Sequence, residues 1–465
     1  MSVLAPRLPE HSRPEHSRPE FGQPDHGQPA SGRAVPAGES GLPRLLPPSA
    51  QMAAADPRRS IDFTAHLRRH GLPRFRGAAL IEQARTAGLT GRGGAAFPVA
   101  RKLAAVTAAG RPAIVVGNAA EGEPASSKDA ALLWFAPQLV LDGLQAAAEA
   151  VGARTAYLYL HAADRQSGPD LAGHIRMALA SRSAAGIDRA SVELVEAPPR
   201  FLAGEETALV AMINGGAARP RDKTRRVVER GVGGRPTLVQ NVETLANLAL
   251  IARHGAAWFR GVGTADEPGS VLCTVRDPGG RVRIVETAIG TPLHRLVWLG
   301  DDVQALLVGG YHGGWLSASV ARQLSLSNAD LRPAGAMIGA GVLAALPAAY
   351  CGLAETAHIA RSLALESAGQ CGPCLNGLPA IAAALAAVAE PRPAEGELAN
   401  LRRLAGLVAG RGACHHPDGT IRFVASALDV FAREIAEHGR GQCTATRSDQ
   451  FLPLPAAPLS ESDWR

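Results

Sequence analysis

From residue 61 onward, short apolar runs of strand length alternate with longer runs that have helical periodicity. The strand-like runs are AIVVGNA, TAYLYLHA and SVELVEAP, and the helical segments include RKLAAVTAAG and LLWFAPQLVLDGLQAAAEAVG. A strand, helix, strand order at this spacing predicts an α/β domain with a largely parallel sheet. We place this domain at residues 61–255.

The pattern changes twice after residue 255. The β-rich runs SVLCTVRD, RVRIVETAIG and ALLVGG are separated by proline and glycine turns, which predicts a small α+β module over residues 256–343. Residues 344–440 are rich in alanine and leucine with helical periodicity, interrupted by SAGQCGPCLNG and GRGACHHPDG. We therefore expect a helical bundle whose two loops bring cysteines together, followed by a tail at residues 441–465.

The first sixty residues have a different composition. The motif PEHSR occurs twice in tandem, and eleven of the chain's 34 prolines lie before residue 58. Because this segment has few large apolar residues, it buries too little surface to offset the entropy lost on ordering. We expect a disordered arm at residues 1–60.

Composition excludes several classes of protein. A chain of 465 residues with 46% hydrophobic and 19% charged residues has the balance of a soluble globular protein. No run of about eighteen strongly apolar residues predicts a membrane span, and six cysteines in so long a chain do not make a disulfide framework. The net charge of +6 is too small to indicate a nucleic-acid partner. We expect a cytoplasmic protein.

A glycine-rich segment, GLTGRGGAAFPVARKL, precedes a predicted helix that carries Lys102. Glycines allow backbone amides to approach a phosphate closely, and a helix N-terminus with a lysine adds positive potential. Lysine is rare in this chain, which has three lysines and forty-five arginines. The alternative is a plain turn, since the segment matches neither of the two common nucleotide-binding fingerprints.

Polar residues follow the predicted strands at their carboxyl ends. In open α/β sheets these ends form the crevice in which ligands bind, where amide and carboxylate groups can hydrogen-bond the edge of a heterocyclic ring. Taken one at a time, several of these side chains could instead be helix caps. The residues concerned are Asn118, Glu121, Glu123, Lys128, Asp129, Glu205, Glu206, Gln240 and Asn241.

Three cysteines in the helical region have the spacing of metal ligands. Cys371 and Cys374 form a CxxC motif, and Cys414 is followed directly by His415 and His416. Thiolates at this spacing bind iron–sulfur clusters or zinc, and we rank a redox-active dithiol third. The other three cysteines are interpreted as two buried small hydrophobes, Cys273 and Cys351, and a residue near the tail, Cys443.

In order along the chain, these motifs resemble the flavin- and NADH-binding subunit of respiratory NADH-quinone oxidoreductase and its relatives in NAD-linked hydrogenases and formate dehydrogenases. The resemblance spans residues 71–438. GLTGRGGAAFPVARKL is similar to the family's GxGRGGAGFPTGxKW, NAAEGEPASSKDA to NADEGEPGTxKDR, and FLAGEETAL to YxCGEETAL. PTLVQNVET is similar to PTTVNNVET, and ESAGQCGPCLNG to ESCGQCxPCREG.

The resemblance implies a Rossmann-like FMN domain, a ubiquitin-like module of the β-grasp type, and a helical bundle holding one [4Fe–4S] cluster. It also implies hydride transfer from NADH or NADPH to FMN, and single electrons leaving through the cluster to ferredoxin or another electron-transfer subunit. By position, the resemblance implies that the FMN phosphate would be held by Gly91, Arg92, Gly93, Gly94 and Lys102. The flavin would be lined by Asn118, Gly204, Glu205, Gln240 and Asn241. The catalytic candidates Glu123 and Glu206 would face the nicotinamide, and the cluster would be ligated by Cys371, Cys374 and Cys414.

The chain departs from the family at several positions. Ala368 stands in place of the first cluster cysteine, Ala120 in place of a flavin-contacting aspartate, and Arg226 in place of an adenine-stacking phenylalanine. A three-thiolate [4Fe–4S] cluster with His415 or His416 as fourth ligand, a [3Fe–4S] cluster and a zinc site all stay open. The alternative functions are a cofactor-depleted scaffold and a zinc-binding interaction protein.

Overall fold

The computed structural model describes residues 20–21, 41–46, 63–161, 170–221, 225–455 and 464. Most of the predicted arm lies outside these residues. Its described parts are the strand β1 (Glu20–Phe21) and residues 41–46, in which Leu45 and Leu46 are buried. The buried carboxylate of Glu286 accepts hydrogen bonds from the backbone N–H groups of residues 44, 45 and 46. The prediction of disorder is therefore wrong for residues 41–46.

The first domain has a four-stranded sheet with all neighbours parallel, in the order β4-β3-β2-β5. This confirms the predicted α/β fold, because helices connect strands that run in one direction. The strands are β2 (Ile114–Ala119), β3 (Thr155–His161), β4 (Ser191–Ala197) and β5 (Thr237–Asn241). The helices are α1 (Phe63–His70), α2 (Ala79–Ala87), α3 (Val99–Ala108), α4 (Lys128–Phe135), α5 (Pro137–Ala150), α6 (Leu171–Ala185), α7 (Glu206–Ile213) and α8 (Val242–Phe259).

The apolar segment predicted as one helix is two helices, α4 and α5. Pro137 occupies the first turn of α5, and the two axes differ by 97°. Proline fits a first helical turn but cannot continue a helix, so it ends α4. Among the described residues, no single helix has both the length and the apolar character needed to cross a bilayer.

The second sheet is mixed and has the order β1-β7-β6-β10-β8-β9. Strand β10 lies at its centre, parallel to β6 and antiparallel to β8. The predicted boundaries of this module, 255 and 343, fall inside α8 and β10, so both elements extend beyond them. Its strands are β6 (Ser270–Arg276), β7 (Val282–Ala288), β8 (Val303–Val308), β9 (Gly314–Ser317) and β10 (Val342–Pro347), and its short helices are α9 (Leu293–Leu296), α10 (Ala318–Ala321) and α11 (Asn328–Leu331).

The remaining helices form the C-terminal bundle, in which α12 and α13 pack on each other and share a buried core with α14 and α15. A five-residue π-helical turn, Pro373–Gly377, begins α13 and contains the second cysteine of the CxxC motif. Part of the predicted tail is packed, since Phe451, Leu452 and Trp464 are buried. The bundle helices are α12 (Gly352–Leu365), α13 (Leu378–Ala389), α14 (Glu397–Val408), α15 (His416–Val430) and α16 (Ala432–Gly439).

Candidate functional site

The crevice lies at the carboxyl ends of β2 and β5, where Asn118 and Asn241 occupy paired positions on neighbouring strands. The Asn118 amide donates to the carbonyl oxygen of Gly204 at 2.8 Å. The Asn241 amide donates to the Asp129 carboxylate at 2.6 Å. Parallel strands end at one edge of the sheet, so residues far apart in sequence meet there.

The glycine-rich loop folds back beside this crevice. The N–H of Gly91 donates to the carbonyl of Phe97 at 2.9 Å, which closes the loop. The N–H of Arg92 donates to the Thr244 hydroxyl at 2.9 Å. A Cβ at position 93 would lie 3.1 Å from the Asn241 Cβ, a tight contact, so glycine lets the loop backbone lie close against the end of β5.

A cavity of about 300 Å³ joins the crevice to the helical bundle. Its volume is at the lower end of the range for small-molecule sites. The sequence-predicted residues that line it are Arg92, Gly93, Asn118, Glu123, Gly204, Glu205, Asn241 and Cys414, together with both predicted histidines, His415 and His416.

Other predicted residues lie outside the lining of this cavity: Gly91, Gly94, Lys102, Glu206, Gln240, Cys371 and Cys374. Lys102 and Glu206 form a partly exposed ion pair with 3.1 Å between Nζ and Oε2. Gln240 is buried in β5, and its Nε2 has no hydrogen-bond partner. A buried amide without a partner is costly, so Gln240 is a polar group that a ligand can satisfy.

Glu123 is held by the second module. Its carboxylate accepts hydrogen bonds from the N–H of Tyr311 at 2.7 Å and the N–H of Ala125 at 3.2 Å. Tyr311 lies in the turn between β8 and β9. Burial raises the pKa of Glu123 to about 7, although the two backbone hydrogen bonds oppose this shift. This carboxyl group therefore changes charge near neutral pH.

Lys128, Asp129 and Glu243 form a buried charge network. Lys128 and Asp129 were expected at the crevice and line the cavity, whereas Glu243 was not predicted. Lys128 Nζ lies 2.7 Å from an Asp129 carboxylate oxygen and 2.9 Å from an oxygen of Glu243. Burial would lower the pKa of Lys128, but the carboxylates raise it above its ordinary value. Glu121 caps the first turn of α4 by accepting from the N–H of Asp129, and burial, with the charge of Asp129, raises its pKa to about 7.

The polar run VVGNAAEGEPASSKD, which follows a predicted strand, contains part of this network. Glu243 was not signalled, because its position after a strand reads as an ordinary first-turn acid of α8. It is fully buried, and its other oxygen accepts from the N–H of Leu272 at 2.9 Å. Glu243 thus connects the crevice to the second sheet.

The three predicted cluster cysteines are neighbours. Burial, together with the neighbouring thiols of Cys371 and Cys414, raises the pKa of Cys374 to about 12. The Ser367 hydroxyl hydrogen-bonds the Cys374 sulfur. Among the described residues these three sulfurs do not form a group within 4.8 Å of one another. Thiolates on a single zinc ion lie about 3.8 Å apart, so the arrangement suits a larger cluster better than one zinc ion.

The two histidines after Cys414 have different environments. His416 is buried, and its Nε2 donates to the Leu363 carbonyl at 2.8 Å. Its Nδ1 accepts from His312 Nε2 at 3.0 Å, and burial lowers the pKa of His416 to about 4. Both nitrogens of His416 are therefore engaged with other protein atoms. His415 is exposed at the cavity.

Ala368, at the position of the missing cysteine, is buried next to Leu202 and Trp464. The Trp464 ring lies 4.2 Å from the Arg200 guanidinium carbon. A tryptophan from the end of the chain therefore packs where the first domain meets the cysteine loop. The sequence offered no signal for this contact.

Comparisons with known proteins agree with this geometry. The family model of the Nuo51 FMN-binding domain matches residues 84–250, and that of the NADH-ubiquinone oxidoreductase-F iron-sulfur binding region matches residues 354–438. The F subunit 2 of NADH-quinone oxidoreductase from Rhizobium meliloti (strain 1021) is 30% identical over 380 residues, 77% of this chain and 88% of the relative. The corresponding F subunit of Rickettsia bellii (strain OSU 85-389) is 28% identical over 64% of this chain and 75% of its own length.

A solved structure shows the same fold. The crystal structure of NAD+-reducing [NiFe]-hydrogenase in the H2-reduced state superposes with a TM-score of 0.70 at 29% identity, covering 78% of this chain. The chain spans 62% of the length of that hydrogenase chain. Fold, site and relatives define a flavin- and iron–sulfur-binding class of oxidoreductase subunit. Within that class, the chain belongs to the family of NADH-quinone oxidoreductase F subunits, as its motifs predicted.

Proposed function

We propose that this chain oxidises NADH or NADPH at a bound FMN and passes single electrons through an iron–sulfur cluster to ferredoxin or a partner subunit. One observation carries the proposal. A single cavity is lined both by the residues of the strand-end crevice, such as Asn118 and Asn241, and by Cys414 of the cysteine loops. A flavin in the crevice would thus lie beside a thiolate of the cluster.

The crevice residues fit FMN. Bound FMN supplies a two-electron acceptor that releases electrons one at a time. The close approach of Gly93 to Asn241 forms a cradle for a ligand, and the buried Arg92, whose Nε has no partner, adds a positive charge beside it. The amide of Gln240, also without a partner, is available to a ring edge. Lys102 lies in the first turn of α3, where it would be drawn from Glu206 to a phosphate.

Glu123 would orient the nicotinamide. A carboxyl group with a pKa near 7 is partly protonated at neutral pH, so it can donate a hydrogen bond to a carboxamide oxygen or accept one from its nitrogen. Its hydrogen bonds to the N–H groups of Tyr311 and Ala125 fix its position. Glu206 would reach the nicotinamide only after leaving Lys102.

Two exposed side chains bear on the choice of nicotinamide. Phe97 follows the glycine loop and is 51% exposed, so its ring is free to stack on a base. The Arg226 side chain is 81% exposed and stands in the place of the family's phenylalanine. A guanidinium can stack on adenine or bind a 2'-phosphate, so we include NADPH among the proposed substrates.

The cysteine loops fit an iron–sulfur cluster. Cys371, Cys374 and Cys414 supply three thiolates, and the spread of their sulfurs exceeds that of a single-ion site. His415 is the remaining histidine candidate for a fourth ligand, because His416 is engaged in two hydrogen bonds. The cluster would be [4Fe–4S], or [3Fe–4S] if no fourth ligand binds.

Matched substitutions test the cofactor assignment. Gly93→Val would place a side chain in the cradle, whereas a side chain at Gly406 in α14 meets open space. We expect Gly93→Val to lower FMN content at least about tenfold, with Gly406→Val unchanged. Cys371→Ser should lose iron and sulfide and keep FMN. Preparations that contain no FMN, no iron and no sulfide after anaerobic reconstitution would contradict the proposal.

The second candidate function is a scaffold that has lost its cofactors. It is favoured by Ala368, because packing against Leu202 and Trp464 fills the place of a cluster ligand. The same measurements separate the two functions, since a scaffold binds neither FMN nor iron in any variant.

The acceptor would be an electron-transfer protein. The relatives are named as subunits of an oxidoreductase, and we infer that this chain also hands its electrons to another polypeptide. None of the six cysteines, all of which lie in the described residues, forms a disulfide, which suits the reducing cytoplasm in which we place the protein.

A further inference from the structure

Three chain segments bring a second set of metal-binding side chains together, away from the cysteine loops. Cys351, His438 and Cys443 each offer one ligand atom, and the three atoms lie within 4.8 Å of one another. Cys351 immediately precedes α12, His438 is in the last turn of α16, and Cys443 follows that helix. The sequence interpretation of Cys351 as a small hydrophobe and Cys443 as a tail residue did not anticipate this cluster.

Cys351 lies at the N-terminal end of a helix. It is the N-cap of α12, a helix of 14 residues, and its sulfur accepts a hydrogen bond from the N–H of Ala354 at 3.4 Å. The positive end of a helix dipole stabilises negative charge at this position. The side chain is buried, so the charge of a thiolate here requires a cation.

Helix α16 supplies two side chains to this cluster, Glu434 from its first turn and His438 from its last turn. Glu434 and His438 are four residues apart, so they project from one face of the helix. A Glu434 carboxylate oxygen lies 3.6 Å from the Cys351 sulfur, and His438 Nε2 lies 3.7 Å from it. His438 is 1% exposed, and its Nδ1 has no hydrogen-bond partner. Nε2, the ring nitrogen beside the Cys351 sulfur, is therefore the candidate ligand atom of His438.

A tight turn positions Cys443. The N–H of Gly441 donates to the His438 carbonyl at 2.8 Å, and the N–H of Gln442 donates to the Glu437 carbonyl at 3.0 Å. The chain therefore reverses directly after α16 and returns Cys443 to the end of that helix. Cys443 is exposed, which leaves a path for an ion to enter.

We propose that Cys351, His438 and Cys443 bind one zinc ion. Two thiolates and an imidazole supply three of the four donors of a tetrahedral zinc site, and the Glu434 carboxylate lies beside Cys351. Binding releases the two thiol protons, and no electron is transferred. The ion would join the end of α16 to the start of α12. This site is independent of the proposed FMN and cluster sites.

Zinc and iron measured on the same full-length preparations test the assignment. The wild-type protein, purified anaerobically with its cluster and supplied with zinc, should hold about one zinc per chain. Cys443→Ser should lose most of that zinc and keep its iron, whereas Cys371→Ser should lose iron and keep its zinc. Cys273→Ala, which removes a buried thiol in β6, is the control and should keep both metals.

A second measurement uses the wild-type chain alone. Zinc should slow alkylation of Cys443 by N-ethylmaleimide at least about tenfold, read by peptide mass spectrometry, because a coordinated thiolate is a poor nucleophile. Wild-type protein without zinc, equal zinc in Cys443→Ser, or a Cys351–Cys443 disulfide under reducing conditions would each overturn the proposal. Zinc retained in a chain that lacks FMN and iron would leave it standing while the proposed function failed.

Discussion

His312 Nε2 lies 3.0 Å from His416 Nδ1, and both rings line the cavity that joins the strand-end crevice to Cys414. His416 donates through its other nitrogen to the Leu363 carbonyl, so the direction of both hydrogen bonds is set. The pKa of each ring is lowered by burial. Two neutral imidazoles therefore line the cavity.

The engaged state of His416 predicts that it is dispensable for the cluster. His416→Gln should keep iron and sulfide contents close to those of the wild type, because its nitrogens bind protein atoms and not a metal. Cys414→Ser should lose most of both. Equal losses in the two variants, measured by iron and sulfide assay, would show that His416 is a ligand.

A thiol at position 368 should strengthen the cluster. Ala368 replaces the first cysteine of the family motif, and neighbouring Ser367 already contacts Cys374. Ala368→Cys adds a fourth thiolate, so after exposure to air we expect about four irons per chain against about three in the wild type. The electron paramagnetic resonance spectrum and iron content check this. No gain in iron would mean that the packing with Trp464 keeps this position out of reach.

The buried network of Lys128 should be essential for stability. Lys128→Met would leave Asp129 and Glu243 without their cation, and losing one partner of a buried pair costs about 3–5 kcal/mol. Lys102→Met is the matched control, because its ion pair with Glu206 is partly exposed and worth at most about 1 kcal/mol. Chemical denaturation of both variants measures the difference. Comparable losses of unfolding free energy in the two variants would contradict this prediction.

Glu123 should make stability depend on pH. Its pKa is about 7 in the folded chain and 4.5 for an unperturbed carboxyl group, so its contribution is full below 4.5 and is lost as the pH rises through 7. Glu123→Gln cannot ionise. Between about pH 5 and pH 8 the wild type should lose up to about 3 kcal/mol more than this variant. Glu206→Gln is the control, and parallel pH profiles for the wild type and Glu123→Gln would contradict the assignment.

Sequence patterns predicted the parts of the site that depend on strand ends. Asn118 and Asn241 lie at the carboxyl ends of predicted strands, and parallel strands bring such ends together whatever the rest of the fold does. Cys371 and Cys374 were predicted from their spacing. Cys414 was grouped with them because two loops of the helical region were expected to bring the cysteines together, and the fold confirms that the three are neighbours.

The remaining features depend on contacts between distant segments. His312 and His416 are 104 residues apart, and Cys351 and His438 are 87 apart. Each residue, taken in its own segment, has an ordinary structural interpretation. Lys128 was expected among the polar side chains of the strand-end crevice, but Asp129 and Glu243 already neutralise it. Periodicity and spacing describe local geometry, so they do not predict which of these side chains meet.

The central claim is that a reducible flavin lies beside the cysteine loops. Anaerobic addition of NADH, and separately of NADPH, to the purified chain, followed by visible absorption, tests it most directly. We expect one of the two nucleotides to bleach the flavin bands and then the broad thiolate-to-iron absorption. In Cys371→Ser only the flavin bands should bleach. A reconstituted preparation that has no flavin bands, or whose bands neither nucleotide bleaches, would contradict it.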